Sequence, residues 1–282
     1  MKTGLVLEGG AMRGLFSAGI LDILMREEIT VDGTVGVSAG ACFGCNYKSK
    51  QVGRAIRYNL EYCNDPRFCS MKSLRKTGDL YGAEFCYHEI PEKLDLFDYE
   101  TYQSNPMVFY VCATDINTGT PVYPRLDKCD WEDLEWMRAS ASMPLVSNIV
   151  KVGGLELLDG GMSDSIPLRF MQESGYEKNV VVLTQPRSYV KSKNKALPFI
   201  RIKYRKYPKL IEAIERRQDV YNETLEYIRQ EEKKGTVLVL APAEALPVER
   251  VSHDKVALQA CYDEGIRVGE ENIEKIRAFL AE

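Results

Sequence analysis

Residues 36–40 read Gly36-Val37-Ser38-Ala39-Gly40, a serine with a glycine two positions away on either side. A serine hydroxyl is a weak nucleophile unless it is held exposed beside a base. A sharp turn from a strand into a helix does the exposing, and the two glycines let strand and helix pass closely. A helix that begins just after Ser38 also aims free amides at developing negative charge. Alone, the pattern fits a glycine-rich strand-to-helix connection equally well.

Two other segments extend that chemistry. Gly9-Gly10-Ala11-Met12-Arg13-Gly14 follows a first apolar run. It fails as a dinucleotide-binding fingerprint, because Ala11 stands where G-x-G-x-x-G needs its second glycine. No ribose-binding acid closes the next strand either; the turn there contains Ser38. The other reading is an oxyanion hole, with amides around Gly10 and Ala11 aimed at a carbonyl oxygen. Such donors are worth about 10²–10³ in rate each. Arg13 either packs structurally or offers its guanidinium to a substrate phosphate. Asp159-Gly160-Gly161 places a carboxylate on a turn after an apolar run. Asp-Gly turns are common without any catalytic role, but in this order the three segments describe oxyanion donors, nucleophile and base.

The chain has two histidines. A conventional triad runs serine, acid, histidine, which leaves His253, at the start of the last predicted helix where Ser252 or His253 could also begin that helix. A histidine is dispensable if Asp159 takes the Ser38 proton directly. A free carboxylate with a pKa near ~4 is a poor base at neutral pH; partial desolvation raises it and improves the match.

These residues need a frame. Residues 3–8, 34–37, 107–114, 155–158, 179–184 and 236–241 read as strands, with 120–123 a hairpin partner. Residues 15–28, 39–50, 51–63, 131–142, 210–234 and 254–280 read as helices. Alternating strands and helices predict an α/β sandwich around a mostly parallel sheet. Between 64 and 105 periodicity weakens in a segment rich in Gly, Pro, Tyr and Phe, which reads as a cap or lid beside the site.

With 282 residues and a formal net charge of -4, the chain has no global bias toward nucleic acid. No apolar run reaches membrane-spanning length, and no signal peptide is evident, so the expected location is cytoplasmic. Eight cysteines are scattered; Cys42 and Cys45 form a CxxC read as small buried helix residues, and no metal or cofactor is expected. Residues 187–211 hold nine Lys or Arg and no Asp or Glu, interleaved with Tyr189, Phe199, Tyr204 and Tyr207. That stretch either makes peripheral contact with an anionic membrane or is a solvated surface loop.

The three motifs together resemble those of the patatin-like phospholipases, over about residues 3–172. The resemblance matches Ser38 to the family's nucleophile and Asp159, followed by Gly160 and Gly161, to its dyad aspartate. Gly9, Gly10, Ala11, Met12, Arg13 and Gly14 match its oxyanion motif, where Ala11 replaces the usual third glycine. Gly36, Val37, Ala39 and Gly40 complete the elbow. Tyr204-Arg205-Lys206-Tyr207-Pro208 and Tyr221-Asn222-Glu223-Thr224-Leu225 are similar to a bacterial cytoplasmic subgroup. The resemblance implies a three-layer α/β core, here residues 3–172, with a helical extension over 173–282 packed on it. It implies hydrolysis of lipid acyl esters, phospholipid or lysophospholipid, with no obligatory metal. The rivals are a thioesterase, a small-ester esterase and a lipid-binding regulator without turnover.

Overall fold

A computed structural model describes residues 1–281. Its centre is an eight-stranded sheet. The strands are β1 (Thr3–Leu7), β2 (Gly33–Val37), β3 (Val108–Asp115), β4 (Pro121–Val122), β5 (Val150–Val152), β6 (Leu155–Asp159), β7 (Lys178–Val182) and β8 (Val237–Leu240). Their order is β5-β6-β3-β2-β1-β7-β8, with β4 paired to β3. The run β3-β2-β1-β7-β8 is parallel, and β4, β5 and β6 are antiparallel additions.

Side chains alternate across the pleat, and the central strands are apolar on both faces. Leu5, Leu7, Val180, Val182, Leu238 and Leu240 face one layer, while Val6, Val181, Val237 and Val239 face the other. The first layer is built on α1 (Gly14–Arg26), α2 (Ala39–Lys48), α3 (Arg54–Tyr62) and, from the far end of the chain, a helix over Lys255–Ala281. α1 is buried nearly all round. It meets the last helix at two glycines: a Cβ on Gly19 would lie 2.3 Å from the Tyr262 carbonyl oxygen, and one on Gly265 2.0 Å from that of Phe16. The helix over Pro208–Lys233 covers the opposite face through Tyr221, Leu225 and Ile228.

Segment 64–105, where periodicity fails, folds into α4 (Met71–Thr77), a π-helical stretch (Phe85–Leu94) containing Pro91, and α5 (Tyr99–Ser104). Proline inside a helix removes a donor and breaks the regular spacing, which is why the apolar pattern there carries no clear period. α6 (Trp131–Ser140), α7 (Leu168–Glu173) and α8 (Leu197–Lys203) follow; with them, the helix over Pro208–Lys233 is α9 and that over Lys255–Ala281 is α10. Residues 173–281 therefore supply two strands of the same sheet as well as helices, and β7 pairs directly with β1.

Candidate active site

β3 brings the two key motifs together. It runs parallel to β2, with Val37 opposite Cys112, and antiparallel to β6, with Asp159 opposite Ala113. Ser38, one residue past β2, and Asp159, the last residue of β6, thus converge on neighbouring positions of one strand. The Ser38 hydroxyl lies near enough to the Asp159 carboxylate to help draw its pKa down.

Ser38 sits at φ 54° and ψ −120°, a conformation that costs a non-glycine residue about 1–3 kcal/mol. Close packing holds it there. A Cβ on Gly36 would be 2.5 Å from the Ala41 amide nitrogen, and one on Gly40 2.5 Å from the Leu7 carbonyl oxygen. Beneath the turn, the Ser38 amide donates to Ser140 Oγ (2.9 Å), whose hydroxyl donates to the Cys112 carbonyl (2.6 Å). The small-residue run Ala139-Ser140-Ala141-Ser142 was the available sequence signal for this prop.

Asp159 is buried, and burial pushes its carboxyl above the ordinary range. Four influences pull back against that rise: the Arg217 charge, the Ser38 hydroxyl, the Gly161 amide, which donates to Oδ1 at 2.7 Å, and the Arg250 charge. Arg217, on α9, also donates from Nε to the Gly161 carbonyl. Nothing in the charged sequence around Arg217 singled it out.

The glycine-rich turn lies beside Ser38. A Cβ on Gly9 would be 2.9 Å from the Val37 carbonyl oxygen and 3.0 Å from Ser38 Cβ; one on Gly10 would be 2.6 Å from Thr184 Oγ1. Ala11 adopts φ 49°, a left-handed conformation that favours glycine, so the alanine keeps the backbone path glycine would take. The amides further along are already engaged: Met12 donates to the Arg250 carbonyl, Arg13 to that of Gly10, and Gly14 to Ala11 and Met12. That narrows the candidate oxyanion donors to the start of the turn. Gly14 has a packing task, since a Cβ there would meet Ala39 Cβ at 2.7 Å. Buried Glu8 braces the loop from below. It accepts from the Thr184 amide (2.6 Å) and the Tyr221 hydroxyl (2.6 Å).

Ser38 stands where two cavities meet. One, of about 140 Å³, is apolar and walled by Cys42, Tyr58, Phe68, Ile90, Phe97 and Met137 among others. Much of that wall comes from segment 64–105. Arg54 also reaches it, but its charge is matched by Asp95 at 3.3 Å and its guanidinium lies over the Tyr58 and Phe97 rings. The other cavity, of about 360 Å³, has a mixed lining that is strongly cationic, with Arg13, Lys191, Arg217 and Arg250 together with Glu8 and Asp159 among apolar residues such as Leu80 and Met162. Ala11, Ser38 and Met143 line both.

The histidines lie elsewhere. His88 is buried and stacked on Trp131 with ring centroids 3.9 Å apart, and exposed His253 binds the Cys63 carbonyl through Nδ1. Neither lines a cavity at Ser38. All eight cysteines are free, and burial pushes the Cys42 and Cys45 thiols up to about 11 and about 12, which keeps them protonated and unreactive. Among the described residues no group of three or more His, Cys, Asp or Glu is arranged to hold a metal ion. No described helix is long and apolar enough to cross a membrane.

The basic stretch divides once folded. Tyr204 is buried, and its hydroxyl accepts from the Leu145 amide (3.2 Å). Tyr189 packs edge-on against Tyr221, and Arg187 and Arg201 pair with Glu232 and Glu215. Of its four aromatic residues only Phe199 is largely exposed, at 67 %, joined by Val190 and Ile202 at 71 % each. α8, which carries Phe199 and Ile202, lines the cationic cavity through Ile200.

A family model described as a patatin-like phospholipase matches residues 5–171, and the chain belongs to that family. A second model, for a domain of unknown function (DUF6363), matches residues 207–281. The chain is 32% identical over 199 residues to the uncharacterized protein YjjU of Escherichia coli K12, covering 66% of this chain and 52% of YjjU. It is 27% identical over 184 residues to the lysophospholipase NTE1 of Scheffersomyces stipitis, covering 64% of this chain and 11% of that protein. Against the probable lipid hydrolase 463L of Invertebrate iridescent virus 6 it is 24% identical, over 62% of this chain and 65% of that one. The chain thus spans about half of YjjU and a small part of NTE1. Among solved structures, VipD from Legionella pneumophila aligns with a TM-score of 0.42 at 12% identity, over 96% of this chain and 67% of that one.

Proposed function

We propose that the chain is a serine acyl hydrolase acting on lipid esters, with lysophospholipid or phospholipid as substrate and Ser38 and Asp159 as a catalytic dyad. The observation that carries the reading is the position of Ser38: beside a buried carboxylate, at the boundary between an apolar chamber and a cationic cavity. An acyl chain suits the first and a leaving alcohol the second.

Ser38 Oγ attacks the acyl carbonyl carbon while its proton passes to Asp159. The carbonyl oxygen takes up negative charge and accepts from amides at Gly10 and Ala11. The ester C–O bond then breaks, Asp159 returns the proton to the departing alkoxide, and an acyl-Ser38 ester remains. Water attacks that ester and gives a proton to Asp159. Collapse releases the fatty acid, and Ser38 recovers its proton. Burial helps the base, because a carboxyl raised above its usual range holds a proton better.

The exposed Val190, Phe199 and Ile202, interspersed in sequence with Lys193, Lys195 and Lys203, support peripheral docking on an anionic membrane, with α8 delivering lipid to the cavity it borders. A cytoplasmic location with reversible attachment to the inner membrane surface follows from that reading.

The test is labelling by a fluorophosphonate together with hydrolysis of a monoacyl phospholipid. Wild-type protein labels and turns over; Ser38→Ala, folded, does neither. A wild-type protein that binds the lipid but neither labels nor hydrolyses would be a lipid-binding regulator instead.

A further inference from the structure

The cationic cavity is assembled from four separate stretches: Arg13 from the glycine-rich turn, Lys191 after β7, Arg217 from α9 and Arg250 ahead of α10. Its two carboxylates are already committed. Glu8 accepts from Thr184 and Tyr221, and Asp159 accepts from the Gly161 amide and feels the Arg217 charge and the Ser38 hydroxyl. The aromatic faces that could take an ammonium group are occupied too. Lys191 Nζ lies 4.1 Å from the Tyr221 ring centroid and 5.8 Å from that of Tyr189. Arg13 Nε is buried with no hydrogen-bond partner. A buried guanidinium nitrogen left unpaired is costly, and gathering several cations adds repulsion. Burial, with Arg217, Arg250 and Arg13 pressing against it and Glu8 opposing, pushes Lys191 down to about 7. A multiply charged anion would remove these penalties together.

We propose that this cavity receives the phosphate of the leaving alcohol and selects substrates whose headgroup carries net negative charge over zwitterionic choline or ethanolamine lipids. The inference rests on the acyl hydrolase reading and narrows its substrate class. An acyl chain in the apolar chamber and the ester at Ser38 leave the glycerol and its phosphate on the cationic side. A terminal ammonium would meet cations with no free carboxylate to offset them.

The test compares monoacyl lipids with one common short acyl chain, each below its critical micelle concentration so that surface charge plays no part. The lipids are lysophosphatidylglycerol, lysophosphatidylcholine and monoacylglycerol. The expected kcat/KM for lysophosphatidylglycerol exceeds that for lysophosphatidylcholine by at least about tenfold, with the difference mainly in KM, as expected when about 1.4 kcal/mol of binding separates two ligands. Lys191→Gln and Arg250→Gln each shrink that ratio by at least severalfold. Lysophosphatidylglycerol is a phosphodiester, ionised across the neutral range, so its affinity follows the protein. Lys191 is protonated below about 7; binding should weaken as pH rises through that value, and Lys191→Gln should flatten the profile. Equal kcat/KM for the two phospholipids, or a ratio indifferent to both substitutions, overturns the proposal. So does monoacylglycerol with added inorganic phosphate being cleaved as well as lysophosphatidylglycerol, because the anion would then be a free effector. Calorimetric binding of the same lipids to Ser38→Ala protein needs no turnover. If wild-type protein hydrolyses nothing yet Ser38→Ala binds the anionic lipid selectively, the hydrolase reading fails while the cavity's preference stands.

Discussion

The two cavities at Ser38 differ in how they are built as much as in what they hold. The apolar chamber is walled by α2, α3, α6 and the 64–105 segment, all within the patatin-matched region. The cationic cavity draws three of its four cations, Lys191, Arg217 and Arg250, from beyond that region. One side of the serine is furnished by the family core and the other largely by the C-terminal part. On the proposed function, the same core would keep its acyl-ester chemistry while a different C-terminal part changed which leaving group is accepted.

That contrast can be broken from its centre outward. Asp159→Asn removes the group both sides depend on at nearly constant volume. Turnover of every ester should fall by at least about 10², the ordinary scale of general-base help, and steady-state kinetics on a neutral and an anionic ester would read it. Cys42→Phe pushes bulk into the apolar chamber alone. The ratio of long-chain to acetyl ester kcat/KM should drop by about an order of magnitude, because lost apolar burial costs about 0.8 kcal/mol per methylene. A melting curve establishes that the variant is folded. The double change Phe199→Ser and Ile202→Ser strips the exposed apolar tips from α8. Co-sedimentation with anionic vesicles should weaken severalfold, and added salt should weaken the wild-type protein as well, since charge attraction is screened within about 8 Å at physiological salt.

The smallest effect concerns pH. In the proposed dyad Asp159 must be ionised to act as base, so activity should fall as pH drops through its raised pKa. Arg217 is the largest of the influences drawing that value back down. Arg217→Gln should raise it further and move the acid limb of the kcat/KM profile to higher pH. The position of the limb on a neutral ester is the readout; an unmoved limb would separate Arg217 from the base.

The strands, the long helices and the three motifs were legible because local pattern encodes them: alternation, period and glycine spacing. Ser38 and Asp159 were named from their neighbours in sequence, and the register of β3 with β2 and β6 is what puts them in contact. Arg217, Lys191, Arg250 and Glu8 were not legible, because their partners lie up to hundreds of residues away and a charged residue on a helix looks like any other. β5, only Val150–Val152, is too short to show alternation. In the basic stretch, composition treated Tyr204 and Phe199 alike; packing buries one and leaves the other in solvent.

The pairing of β1 with β7 has a consequence in time. β1 is flanked by β2 on one edge and by β7 on the other, so its second edge stays open until residues 178–182 are made. Thr184, which follows β7, bonds both Glu8 and the Gly9 carbonyl, and Tyr221 arrives later still. During synthesis from the N-terminus, Ser38 and the glycine-rich turn emerge well before Thr184 and Tyr221, which brace the loop beside Ser38. A nascent chain would thus carry the proposed nucleophile unassembled until β7 and Tyr221 are made, and a fragment ending at residue 172 would expose an unpaired strand edge, prone to aggregation, where the folded protein has the middle of its sheet.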